Sequence, residues 1–143
     1  MNIRYDIANN LPLLTLSGAS GSSADNTAIT LPSASTGFDT RDNEAINIIL
    51  IAGALVDADA TFATTILESD ATNGTYTAVP AIELSAALST MNFVFSEDNI
   101  AKQISVKPTR RFVRIVVTPS NNSGASAFSA AVQGTRAIVG TTA

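Results

Sequence analysis

Apolar residues in this chain come in short runs of Val, Ile, Thr and Phe. Between almost every pair of runs stands a cluster of Gly, Asn, Asp, Ser or Pro. That punctuation is the strongest constraint on the fold. A helix needs an apolar face repeating every three to four residues over ten or more positions, and β-branched side chains are stiff in it. Only residues 81–88 (AIELSAAL) show helical spacing, and the stretch is short. The remaining runs predict strands at 13–17, 27–31, 44–55, 60–69, 76–78, 92–95, 102–107, 111–118 and 125–135. Many short strands with turn signals between them predict an all-β protein, an antiparallel β-sandwich of Ig-like or jelly-roll-like type.

Alternation within the runs assigns faces. In 111–117 (RFVRIVV) the set Val113, Ile115, Val117 is uniformly apolar, while Phe112, Arg114, Val116 is mixed. A one-residue slip would bury Arg114, so the first set faces the core. By the same reasoning Phe128, Ala130 and Val132 face in, and Ser129, Ala131 and Gln133 face out. Residues 45–55 are apolar on both faces, which predicts a central strand covered on both sides. The 69–74 segment (SDATNG) predicts a hairpin, with Asn73-Gly74 supplying positive φ, and 120–124 (SNNSG) a second, longer one.

Residues 1–36 read as an extended N-terminal arm with one or two short strands, and 37–143 as the sandwich domain. The arm holds GASGSSADNT, too small and polar to form a core. It also holds Leu11, Leu13, Leu14 and Leu16, a cluster that wants a surface to cover, either the domain's own sheet or a neighbouring subunit. These leucines are candidate partner-binding residues. No run reaches the roughly 18 apolar residues of a membrane span. Asp6 and Asn9-Asn10 sit where an export signal would be apolar.

The 143 residues include no cysteine and no histidine. Thiolate and imidazole chemistry, including His-based hydrolysis and zinc ligation, is therefore closed, and a non-enzymatic role without cofactors is expected. The acidic residues make weak metal patterns. Asp57-Ala-Asp59 starts like a calcium loop, with Glu68 at its twelfth position, but has Phe62 at the sixth, where the turn needs Gly. Glu68, Asp70 and Asn73 near one turn are a candidate for a hard cation, against the plainer role of turn formation. The net charge of −4 is unevenly placed: residues 1–100 sum to −10 and residues 101–143 to +6. Such asymmetry either marks a basic nucleic-acid tail or means that strands from both halves interleave and their charges pair. The bases lie inside a strand pattern, with only Phe112 among them for stacking, so the second reading is expected. Arg110 and Arg111 are candidate partner-binding residues, able to grip a phosphate or carboxylate bidentately or to salt-bridge at a strand entry.

Three motifs then stand in order: Gly37-Phe38-Asp39-Thr40-Arg41; Thr61-Phe62 with Leu67-Glu68-Ser69-Asp70 and Thr75-Tyr76-Thr77; and Arg110-Arg111-Phe112-Val113-Arg114-Ile115-Val116-Val117-Thr118. Over residues 37–136 this order resembles a group of small tailed-bacteriophage virion proteins with the pattern FDTRG…LQESDDGSxW…KRYVRVVLT. Asp42 replaces the usual Gly, and Tyr76 the usual Trp. The resemblance implies a protein of the outer capsid surface, made in the host cytoplasm, that decorates or cements the shell by binding the major capsid protein. It also implies a homo-oligomer, with a trimer favoured, and no nucleic-acid or membrane partner. The alternative is a tail or fibre module contacting host glycans or proteins, for which Tyr76 and Phe38 are the candidate tip aromatics.

Overall fold

Period-two alternation becomes ten strands in the computed structural model, which describes residues 14–41 and 43–136. They are β1 (Leu14–Ser23), β2 (Ile29–Leu31), β3 (Phe38–Asp39), β4 (Asn43–Leu55) and β5 (Thr61–Ser69), followed by β6 (Thr77–Ala78), β7 (Phe93–Val94), β8 (Ala101–Val106), β9 (Phe112–Ser120) and β10 (Ser126–Arg136). Every pairing is antiparallel. One sheet runs β1-β10-β4-β8. The other runs β2-β9-β5-β6, with β3 also on β9 and β7 also on β5. Because β9 and β5 pair along their whole length, β2 and β3 share the far edge of β9, and β6 and β7 share the far edge of β5. Counting each of those as one interrupted strand leaves eight positions. In chain order they read 1-8-3-6 in one sheet and 2-7-4-5 in the other. That is the order of a jelly roll, and it decides between the two sandwich types the sequence left open.

The core lies between the sheets and uses the inward sets read from alternation. Ile46, Ile48, Leu50, Phe128, Ala130 and Val132 from the first sheet meet Val113, Ile115, Val117, Phe62 and Ile66 from the second, all buried. Phe128 is the hinge of the contact. Its ring lies 5.3 Å from Phe62 and 5.4 Å from Phe93, in tilted and edge-on geometries that the aromatic quadrupole favours.

Several expectations are corrected. Residues 81–88 form no α-helix. A 3-10 turn spans Ala81–Glu83 and another Leu88–Met91. Between them Leu84 bridges Val106, and the Ser85 N–H donates to the Ser105 carbonyl, so the backbone is taken by the edge of β8. The central strand β4 is covered on one side only: Ile49 is half-buried and Ile51 is 40% exposed on the outer face. Residues 120–124 are not a hairpin, since β9 and β10 belong to different sheets. This corner carries its positive φ at Asn121 (56°). It is tied down by Asn122 N–H to Asn26 Oδ1 (2.9 Å) and Ser123 N–H to Asp57 Oδ2 (2.6 Å). The 69–74 hairpin does join antiparallel strands, but without positive φ at Asn73 or Gly74. Gly74 is needed there for close approach, because a Cβ would sit 2.7 Å from Ser69 Oγ.

The described part of the stretch read as an arm, residues 14–36, is woven into both sheets, with β1 along β10 and β2 along β9. The small, polar GASGSS segment is itself strand. An edge strand needs little core volume, and at Gly21 an added Cβ would meet Ile29 Cγ2 at 2.6 Å.

Candidate binding surfaces

The motif residues gather at one end of the second sheet, around the entry to β9. Phe38 turns into the core and Asp39 turns out. Asp39 accepts from Arg111 Nε (3.2 Å) and Nη2 (3.0 Å), and from Arg41 Nε (3.1 Å) and Nη2 (2.7 Å). Those Arg111 bonds, with Arg41 adding to them, hold the Asp39 carboxyl well below the usual carboxylate range. Arg111 also lies over the Phe112 ring, 4.7 Å from its centre. Thr40, buried, donates its hydroxyl to the Arg111 carbonyl (2.7 Å).

Glu68 is 2% exposed. Its carboxylate accepts the N–H groups of Thr109 (2.9 Å) and Arg110 (3.2 Å) and the Thr109 hydroxyl, closing the loop that leads into β9. Glu68 therefore turns away from Asp70, which is exposed and reaches Arg110 Nη1 at 3.6 Å. The Glu68 carboxylate is thus spent on the loop into β9, and no group of three acidic residues suited to a metal occurs among the described residues. Arg114 lies flat on Tyr76, 3.7 Å from the ring centre, and donates to the carbonyls of Thr36 (2.7 Å) and Thr72 (3.0 Å). The three motifs are one clasp, joining the 36–41 segment and the 69–76 hairpin to β9.

This clasp accounts for the charge asymmetry. β9 runs between β2/β3 and β5, so bases from the last third of the chain meet acids from the first two thirds. Asp39 pairs with Arg111 and Asp70 with Arg110, and Glu97 pairs with Lys102 at 2.8 Å. Lys102, the basic partner, holds the Glu97 carboxyl below its usual value. Lys102 also donates to the Asn92 carbonyl and sits 4.6 Å over the Phe93 ring.

The first sheet presents a different surface. Residues paired directly across antiparallel strands point to the same side, so its outward positions form rows. One row is Gly18, Ala131, Ile49 and Gln103; the next is Ser20, Ser129, Ile51 and Ala101; a third, over three strands, is Gln133, Asn47 and Ser105. None of these residues is charged. Two of its polar side chains, Asn47 and Gln103, bond to each other at 3.3 Å. Sequence alternation found the outward set of β10, but strand register alone lines four separate segments into one face.

Of the residues singled out for binding, Leu14 and Leu16 lie in β1, at the edge of this sheet. Leu11 and Leu13 lie outside the described residues. Arg110 and Arg111 sit at the clasp, on the opposite sheet, and Arg111 is engaged with Asp39. No helix among the described residues is long and apolar enough to cross a membrane. No protein-family model matches the chain, and no curated protein sequence matches it.

Proposed function

We propose that this chain is a non-enzymatic structural protein of a phage virion that decorates the capsid shell by binding the major capsid protein through the outer face of the β1-β10-β4-β8 sheet. The observation that supports this reading is the charge-free set of rows across that face. Interface centres are depleted of charged residues, because each buried charge must be desolvated. A broad, flat, uncharged sheet can lie on a shell without that cost. Leu14 and Leu16 belong to β1, the edge strand of the same sheet. Copies bound to the assembled shell but not to its separated parts would stabilise it by mass action.

The tail or fibre alternative relied on Phe38 and Tyr76 as tip aromatics. Phe38 is buried, and Tyr76 is half-buried with Arg114 stacked on its ring, so neither stands free at a loop tip. The test is mass spectrometry and cryo-electron microscopy of purified virions. Density for this fold on the outer head shell, sheet face inward, is expected. Absence from the head, or presence only at the tail tip, overturns the proposal.

A further inference from the structure

We propose that β1 pairs edge to edge with β1 of a second copy, antiparallel about a twofold axis, joining two four-stranded sheets into one of eight strands. β1 is ten residues long and pairs with β10 along one side. Among the described residues no strand pairs with its other side. A strand edge left so carries a row of main-chain donors and acceptors that seek another strand.

The other edges are closed or broken. The β8 edge is taken at residues 105–107 by Leu84, Ser85 and Glu83, which leaves only a short piece of it. The edges of the second sheet consist of β2 and β3 on one side and β6 and β7 on the other, each two or three residues long. β1 alone is long; its register on β10 shifts once, between Leu14 and Ser17, and runs unbroken from Ser17 to Ser23, and its sequence LTLSGASGSS holds no charge and no proline to blunt the edge.

A second copy is the occupant that the charges favour. The chain carries −4, so two copies repel unless they meet where charge is absent. β1 and the rows beside it are such a place. Antiparallel pairing of a strand with itself is also self-complementary, as a twofold contact requires. Ten residues span about 33 Å, and a two-layer edge is roughly 15 Å deep, so the contact totals about 1,000 Å² over both copies, the lower limit of a specific interface. A contact at that limit is a weak one. The product is a dimer, unlike the trimer implied by the resemblance.

The test uses the full chain in solution, and its failure would leave the decoration proposal standing. Sedimentation from about 10 μM to about 1 mM should show the mass rising from 14.7 kDa towards twice that value. Hydrogen exchange at alternate β1 amides should slow in step. Ser20 and Ser22 are exposed. The S20K/S22K and S20E/S22E variants should each remain monomeric, and mixing them should restore a heterodimer, which misfolded chains would not form. A monomer at every concentration overturns the proposal, as does a trimer, or a dimer that the lysine variant leaves unchanged. Protection of the β1 edge independent of concentration also overturns it, since the chain's own residues would then cover that edge.

Discussion

Replacing Glu68 tests whether the clasp holds the second sheet together. Its buried carboxylate satisfies two part-buried main-chain N–H groups and one hydroxyl. In Glu68→Gln the amide oxygen can still face both N–H groups, while the NH2 turns to the Thr109 hydroxyl. Only the charge assistance is lost, about 1–2 kcal/mol over the set. In Glu68→Ala both N–H groups are left without a partner and a cavity opens, about 3–5 kcal/mol in total. For a chain of 143 residues each kcal/mol shifts the midpoint by about 3 °C. Thermal unfolding followed by circular dichroism should therefore show Gln melting about 3–6 °C below the parent and Ala about 10–15 °C below. Thr109→Ala completes a cycle, in which the double variant with Glu68→Ala should be less destabilised than the sum of the singles by about 1 kcal/mol. An alanine variant melting within about 2 °C of the parent, or additive effects across the cycle, would refute the reasoning.

Further outcomes follow from other contacts. Phe128→Ala removes the ring that touches both Phe62 and Phe93, and urea titration should report a loss of about 3–5 kcal/mol. Asp39 has a folded-state pKa below its unfolded value, so its stabilisation is complete above about pH 4 and disappears as pH falls through the folded value. The stability difference between the parent and Asp39→Asn should accordingly be flat near neutrality and shrink on acidification, measured by urea midpoints across pH. Gly21→Ala pushes a methyl to within 2.6 Å of Ile29 Cγ2, and should cost about 1–3 kcal/mol and speed amide exchange in β1 and β2.

Most strands and their inward faces were legible in the chain, β1 beyond residue 17 and β3 excepted, because period-two alternation acts over a few residues and needs no knowledge of the partner. Val113, Ile115 and Val117 could face only the core once Arg114 was kept out of it. The pairing of charges between the two halves was legible in kind, since basic residues spaced within a strand must meet whatever neighbours it. The jelly-roll order was not, because which strand lies beside which depends on contacts between residues up to 120 positions apart, as Leu14 and Gly134 are. The same limit hid the corner at residues 120–124, whose turn residues look alike whether the chain returns to its own sheet or crosses to the other. It hid the role of Glu68, a surface type by composition, buried only because the 107–111 loop brings two N–H groups to it. Composition by itself determined that the chain has few charges and no thiol or imidazole. Only the tertiary structure decided where those few charges go. Interleaving collects Asp39, Arg110, Arg111 and Arg114 on the second sheet, while strand register aligns Gly, Ser, Ala, Asn, Gln and Ile from four distant segments into one uncharged face.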